Sequence, residues 1–398
     1  MKSVLLVGGG ILQQKSIEAA HQLGYAVILT DKNPNCFCTR LADEFYPLDT
    51  RDAAGHTELA RSRRGELAAV FTAAHSVELT VAAAANAIGL PAIPNEVAYR
   101  ISNKAAMREC LEGKIPQPRW QILENYRKPD LEFPFVVKAT DNSGSRGLTK
   151  VFHADDFTEE VFNRARENSG DRRVLIEELL VPVEGEIAEQ SVETIWYEGK
   201  GHWLNWVDRP FRNDGKFAIE EGHYNPAAHS LGTETQIEQM VLTAGKVLGM
   251  TTGIFKADMM LTLDGPRILE TTARLSGGFD STHTSPLAHG VNYVRGALKL
   301  ALGQIIDWYD FTPLWDWHAV ALSKFPKPGK IISISGIADA EKITGVEYVI
   351  SRMSSVDRVP PYEDCAARPL FVIAAGETRE KAIQAARTGL EQIRIETQ

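Results

Sequence analysis

Three stretches of this 398-residue chain hold the residue types that a nucleotide-handling site needs. The first is the loop Asp141-Asn142-Ser143-Gly144-Ser145-Arg146-Gly147-Leu148, which follows Lys138 at the end of the apolar run Phe135-Val136-Val137. A lysine inside a buried strand is costly unless it finds an anion. Small residues such as Ser143, Gly144, Ser145 and Gly147 let backbone N–H groups close over phosphates, and glycine supplies the unusual dihedrals. No Gly-Lys-Ser/Thr ends the loop, so it is not a P-loop. The second stretch is Glu177-Glu178-Leu179-Leu180. One carboxylate there faces solvent, and the other accepts from an adenine amino group or from a phosphate-bound lysine. The backbone of Leu179 and Leu180 is placed to read the adenine edge. Downstream, Glu184, Glu186 and Glu189 crowd together as candidates for ribose hydroxyls, and Glu189 is favoured because it begins a strand.

The third stretch carries two acids. Asp258 lies among Ile254, Phe255, Met259 and Met260, and Glu270 ends the next strand, with the turn Leu263-Asp264-Gly265-Pro266 between them. A hairpin there brings both carboxylates to one edge. They repel unless a cation or proton intervenes. Mg²⁺ shared with ATP phosphates is the natural cation, because it takes one or two carboxylates plus phosphate oxygens; Mn²⁺ is the alternative. Arg274 then offers a positive fork to a transferring phosphoryl group or an acyl phosphate, and Ser276-Gly277-Gly278 offers backbone donors. The plain alternatives are a flexible hairpin tip for the loop and a surface ion pair for the acids.

Further candidates are weaker one by one. His75 and Ser76 follow an apolar strand over Ala68–Phe71, at the sheet edge where ligands bind in α/β folds; His75 otherwise reads as a surface cap. Lys104 opens a helix and reads equally as a solvated lysine. His223, Tyr224 and the tryptophan-rich segment 196–206 either line a substrate pocket or belong to core and sheet surface. Gly8-Gly9-Gly10 suggests a dinucleotide turn, but Gln13 stands where the third glycine belongs, while Asp31 is present. A tight strand-to-helix turn and an anion site at the helix N-terminus are the other readings.

Positioning these groups requires more than one core, and a chain of this length is expected to form two or three domains. Buried runs at Val4–Val7, Ala26–Leu29 and Ala68–Phe71 alternate with helical patterns, which predicts a parallel sheet with helices on both faces over residues 1–97. Pro91 and Pro94 mark the boundary. Residues 98–308 read as a central unit of short strands, a small α+β subdomain, longer strands over 188–223 and a helix over 234–248 leading into the hairpin. Residues 309–398 read as a small C-terminal α+β domain ending in a helix from Thr378.

Composition narrows the partners. Acidic residues outnumber basic ones 52 to 43, for a formal net charge of −9. Such a chain is a poor general binder of nucleic acid or anionic membrane. No 18-residue apolar run and no signal-peptide pattern occur, so a cytoplasmic protein is expected. Cys36, Cys38, Cys110 and Cys365 read as free thiols. A homodimer is the default assembly.

The order of these pieces resembles the ATP-grasp superfamily of carboxylate–amine ligases, over essentially the whole chain. The resemblance implies an N-terminal α/β domain, a two-lobed ATP-binding domain with a mobile lid over about 120–182, and a small C-terminal domain. Lys104, Lys138, Glu177 as hinge acid, Leu180 beneath adenine, the metal pair Asp258 and Glu270, and phosphate-side Arg274 match the family's positions. Where the family has Asn as a metal ligand, this chain has Thr272. The segment Arg368-Pro369-Leu370-Phe371-Val372-Ile373-Ala374 suggests the amino-acid ligase branch. The implied reaction joins a small-molecule carboxylate to an amine through an acyl phosphate, releasing ADP and phosphate. A carboxylase or formyltransferase of nucleotide biosynthesis, a non-catalytic nucleotide-binding module and a nicotinamide dehydrogenase are the competing readings.

Overall fold

The computed structural model describes residues 2–212 and 215–398. In the N-terminal part, β1 (Ser3–Val7), β2 (Ala26–Asp31), β3 (Glu44–Pro47) and β4 (Leu67–Phe71) form a wholly parallel sheet ordered β3-β2-β1-β4. Helices α1 (Gln14–Gln22), α2 (Ala53–Ser62) and α3 (Glu78–Asn86) connect or flank these strands. The apolar runs of β1 and β2 are buried on both faces, as a parallel sheet requires. The short strand β3 and the helix α2 carry no continuous apolar run and were not anticipated; β3 is an edge strand, half-buried along its length.

Helices α4 (Asn95–Ser102) and α5 (Lys104–Leu111) follow, separated by Asn103, whose side chain caps α5 at the Ala106 N–H. The lid is a four-stranded antiparallel sheet of β5 (Trp120–Leu123), β6 (Phe135–Ala139), β7 (Thr149–Val151) and β8 (Val174–Glu178), ordered β5-β8-β6-β7. Helix α6 (Glu159–Glu167) covers one face, packing Phe162 and Ala165 against Phe135, Val137 and Ile176.

The largest sheet has eight strands. It contains β9 (Glu189–Tyr197), β10 (Lys200–Asp208), β11 (Gly222–Asn225), β12 (Gly253–Thr262), β13 (Gly265–Thr272) and β14 (His318–Lys324). Beyond β15 (Gly329–Ser335) it takes in β16 (Val346–Ser351) and, after β17 (Arg358–Val359), β18 (Leu370–Gly376). Its order is β13-β12-β9-β10-β11-β14-β18-β16. The sheet therefore runs unbroken across residues 308 and 309, because β11 pairs with β14 from Gly222↔Leu322 to Asn225↔Ala319. Helix α7 (Leu231–Leu248) packs on one face of this sheet. Trp196 and Trp206 belong to that core with Ile237, Val241 and Ala244, so they pack behind the sheet and do not reach the cavity. Alternation along a strand sends their side chains away from Glu193 and Asn205. A three-stranded sheet of β15, β17 and the last strand, β19 (Arg394–Thr397), closes the C-terminal part.

Candidate active site

A cavity of about 880 Å³ opens between the lid and the large sheet. The lid supplies its roof. Loop 141–148 joins β6 to β7 and makes three left-handed turns within four residues, at Gly144 (φ 65°), Ser145 (φ 63°) and Gly147 (φ 75°). Ser143, Gly144 and Ser145 line the cavity. Gly147 does not; it is buried at the root of the loop, where a Cβ would lie 2.8 Å from Asn168. Its role is to let the loop turn against α6.

Lys138 and Glu177 sit on neighbouring lid strands and form a buried ion pair of 2.6 Å. The other Glu177 oxygen accepts from Arg108 Nε at 2.7 Å. Burial opposes ionisation of Glu177, but Arg108 and Lys138 outweigh it and bring the carboxyl down to about 2. Glu177 thus engages the cavity lysine, while Glu178 accepts from the Arg119 backbone and guanidinium. The Leu179 N–H donates to Pro134 O, which leaves Leu180 the better placed of the two for an adenine edge. Glu184 and Glu189 line the same end. Burial pushes Glu189 up to about 7, against the pull of Arg209 and Lys150.

The floor is the β12–β13 hairpin. Asp258 and Glu270 are direct register partners and both face the cavity. Asp258 is held by Lys256 at 2.5 Å and Arg209 at 2.9 Å. Glu270 is held by Lys104 at 3.0 Å, and Lys104 also donates to Asn142 O at 2.6 Å, tying the lid loop to the floor. Burial disfavours the Glu270 charge, yet Lys104, Lys256 and Arg209 hold its carboxyl well below the usual range. Among the described residues no cluster of three or more His, Cys, Asp or Glu could hold a metal by protein groups alone. Two carboxylates beside a phosphate-sized space fit a Mg²⁺ that takes its remaining ligands from phosphate and water. Thr272 fits less well. Its hydroxyl is buried without a hydrogen-bond partner and lies outside the cavity lining.

Arg274 lies at the far end. It donates through Nε and Nη2 to Ser76 Oγ at 3.2 and 3.0 Å, through Nη1 to Leu275 O, and approaches Glu78 at 3.9 Å. Ser276, Gly277 and Gly278 line the wall beside it. The Ser276 N–H is already spent on Glu193 Oε1 at 2.7 Å, so it is not a free donor to substrate. Gly278 accepts from, or faces, the His223 ring at 3.1 Å, and a Cβ there would fall 2.2 Å from that ring. His223 lines the cavity. His75 is outside it: its ring packs on Gly8 and contacts Thr50 Oγ1 at 3.1 Å. His75 is exposed at the surface, as a cap would be, yet the protein atoms crowded around its ring and the charges of Arg274, Arg146 and Arg51 push it down to about 4.

Four groups escaped the sequence reading. Arg108 and Arg209 are buried cations whose partners lie far off in sequence. Glu220 gathers Arg209, Arg368 and His223 around one carboxylate. Arg368 was quoted only for its segment, yet it reaches the cavity. The i, i+3 spacing of Glu220 and His223 was the one available signal. At the first glycines, Gly9 N–H donates to Asp31 Oδ2 at 2.9 Å. Asp31 therefore braces the strand-to-helix turn, which argues against the dinucleotide reading.

A sheet roofing the cavity, lysines beneath it and paired acids on a hairpin floor form the arrangement that the resemblance to the ATP-grasp superfamily implies, and comparison with known proteins bears on the fold. Residues 131–283 match the ATP-grasp domain model, and residues 324–398 match L-amino acid ligase C-terminal domain 2. The chain carries an ATP-grasp domain joined to the kind of C-terminal domain found in L-amino acid ligases. An L-amino acid ligase from Bacillus licheniformis superposes with a TM-score of 0.84 at 20% identity, covering 100% of this chain and 99% of that one. Carnosine synthase 1 of Gallus gallus is 23% identical over 338 residues, covering 76% of this chain and 35% of the relative. A formate-dependent phosphoribosylglycinamide formyltransferase of Thermococcus kodakarensis is 23% identical over 359 residues, covering 85% of this chain and 81% of the relative. The chain thus spans little more than a third of the carnosine synthase it matches. Among the described residues no helix is long and apolar enough to cross a membrane.

Proposed function

We propose that this chain is an ATP-dependent ligase that joins a small carboxylic acid, of the amino-acid class, to an amine. The observation that carries the reading is the register pairing of Asp258 with Glu270 on a hairpin facing the same cavity as Lys104, Lys138 and Arg274. ATP lies with adenine by Leu180, ribose by Glu189 and its phosphates under loop 141–148. Asp258 and Glu270 would hold a Mg²⁺, which when bound would neutralise charge on the phosphates. Lys138 and Lys104 hold the phosphate oxygens. Arg274 orients the substrate carboxylate so that its oxygen attacks the γ-phosphorus; the bond to the β-phosphate oxygen breaks and ADP leaves. The amine then attacks the acyl carbon, the acyl–oxygen bond breaks, and phosphate departs carrying the proton that the amine gives up, leaving an amide. Positioning and charge stabilisation do this work without a protein nucleophile. The closed lid keeps water from the acyl phosphate. The setting is the cytoplasm, with small molecules as partners and a homodimer as the assembly.

The test is ADP release measured against a panel of amino acids, singly and in pairs. Release that requires both an acid and an amine supports the ligase. Dependence on formate or bicarbonate instead would favour the second reading, for which the formyltransferase similarity speaks. Nucleotide binding without release under any panel would mark a non-catalytic module.

Two further outcomes belong here. Lys138→Ala is expected to weaken ATP binding about tenfold to a hundredfold, the range of a lost charge-assisted contact. An unchanged dissociation constant by calorimetry would remove Lys138 from the phosphate site. For Glu189, the folded pKa lies above the unfolded one, so its contribution to stability is present at low pH and is lost as pH rises through about 7. The same ionisation creates the acceptor for ribose hydroxyls. ATP affinity is therefore expected to rise between pH 6 and 8, and Glu189→Gln to flatten that rise. Equal pH slopes in both proteins would exclude Glu189 from the ribose end.

A further inference from the structure

The lid loop is gripped by a part of the chain that the reaction scheme does not use. The Gly144 carbonyl accepts the backbone N–H of Cys365 at 3.0 Å. Cys365 opens a short 3₁₀ turn over Cys365–Ala367, between β17 and β18 of the C-terminal part. The Asp364 side chain fixes that turn by accepting the Ala366 N–H at 2.7 Å. A second lid element meets the same segment. Arg164 of α6 donates to Glu363 O at 3.1 Å and lies 3.6 Å from the Glu363 carboxylate. The charge of Asp364 also acts on Arg146, two residues beyond Gly144. Loop 141–148 is thus held twice, at Asn142 O by Lys104 of α5 and at Gly144 O by the C-terminal part.

Behind the turn stands Arg368, which is buried. Its Nε donates to Cys365 O at 3.0 Å. Its Nη1 donates to Glu220 O and Glu220 Oε1 at 3.1 and 2.8 Å. Glu220 pairs with Arg209 at 2.6 Å, and Arg209 pairs with Asp258 at 2.9 Å. A continuous line of polar contacts therefore runs from the lid, through one C-terminal arginine, to an acid on the floor. A guanidinium suits this place because its donors diverge from one rigid plane. Setting Nη1 on Glu220 also sets where Nε holds the Cys365 carbonyl. Phe371 lies 4.9 Å from the guanidinium carbon and limits its swing. The backbone of Cys365 is spent at both ends, its N–H on the lid and its C=O on Arg368.

We infer that Arg368 is a positioning residue that latches the lid: by tying the Cys365 backbone to Glu220, it presents one N–H to Gly144 and so sets where the lid loop rests above the floor acids. It acts through Cys365 and Gly144, not on a reacting atom. The consequence falls on coupling. Under a loosened lid, water attacks the acyl phosphate and returns the free acid and phosphate, so ATP is consumed without an amide. That consequence rests on the ligase reading, whereas the latch itself does not.

The latch is tested first without turnover, by millisecond-resolved deuterium exchange of wild type and Arg368→Met. Methionine keeps an apolar stem beside Phe371 and removes the fork. Glu220 retains Arg209 and His223, so the variant is expected to fold. Exchange should quicken about tenfold or more in segment 363–368 and in loop 141–148 together. Faster exchange confined to 363–368, with the loop unchanged, would overturn the latch. Should Arg368→Met fail to fold, Arg164→Gln on the lid carries the same measurement. About threefold faster exchange is then expected in both segments, and an unchanged 363–368 segment would overturn the latch.

The second arm counts amide formed per ADP released, with an acid and amine pair that the wild type accepts. The ratio is expected near about one in wild type and about threefold lower or less in Arg368→Met, with Arg368→Lys between them. A lower kcat with the ratio unchanged would overturn the coupling role. If no pair drives ADP release, the ligase reading falls and the exchange arm still decides the latch. If amide forms while the loop exchanges at the wild-type rate in Arg368→Met, the latch falls alone.

Discussion

Glu270→Gln is expected to cut ADP release on the order of a hundredfold to a thousandfold, the cost of losing one preorganised electrostatic group from a phosphoryl-transfer site. The argument starts from charge. Glu270 is ionised at any physiological pH, because Lys104, Lys256 and Arg209 more than offset its burial. The amide keeps shape and hydrogen-bonding capacity but removes the negative charge that a divalent ion needs. Asp258 alone then faces Lys256, Arg209 and the metal. Packing is barely touched, since the side chain ends at a cavity wall and Lys104 keeps its bond to Asn142 O. Lys104 and Lys256 nevertheless lose a counter-charge, so the melting temperature is expected to fall by several degrees while the protein still folds. Binding of ATP in the absence of Mg²⁺ should survive or strengthen, because a carboxylate that repels phosphate has gone. Turnover at the wild-type rate would remove Glu270 from the metal site, and a collapse in melting temperature would assign it a structural role instead.

The hairpin was legible because its signals are local. An apolar strand, an Asp-Gly turn and a return strand signal the hairpin, but counting outward from the turn would set Asp258 opposite Leu269; a one-residue register shift between Asp258 and Met259 brings Glu270 there instead. The parallel N-terminal sheet was legible for the same reason: β1, β2 and β4 are continuous apolar runs. Local signals also placed the lid loop, though not the split of duties within it, where Gly147 supports the turn and Gly144 and Ser145 face the cavity. What stayed hidden depends on distance along the chain. Arg209 meets Glu220 and Asp258, and Arg368 meets Glu220, through pairings that only the assembled sheet creates. The tryptophans of β9 and β10 look alike in sequence whichever face they occupy, and only α7 decides that they are core. Likewise β11 is four residues long and gives no sign that it joins the C-terminal strands to the floor.

Arg108 shows how one hidden group binds lid to floor, and its replacement should have the largest effect on stability. The side chain is fully buried. It donates to Glu177 on the lid strand β8 at 2.7 Å, and to Ile268 O and Leu269 O on the floor strand β13 at 2.8 and 2.7 Å. Those carbonyls stand beside Glu270. Arg108→Leu removes the cation and leaves Glu177 buried with Lys138 as its remaining ion-pair partner. Breaking a buried pair by removing one member costs about 3–5 kcal/mol, because the other charge stays behind without compensation. The unfolding transition is expected to fall by roughly 5 °C or more. Glu177 also titrates in a defined direction. Its folded pKa lies below the unfolded one, so the stabilisation holds above the unfolded value and disappears as pH falls towards about 2. In Arg108→Leu that acid limb should begin at higher pH. ATP binding should weaken as well, since Lys138 must then neutralise Glu177 alone and has less charge to offer a phosphate. Lys138→Ala separates these effects, because it should weaken nucleotide binding while leaving the Arg108–Glu177 pair in place. Adding Glu177→Leu to Arg108→Leu should recover part of the lost stability, as buried pairs exchanged whole for apolar groups often do. A double variant less stable than either single one would show that the carbonyl contacts on β13, and not the charge on Glu177, are what Arg108 is there to satisfy.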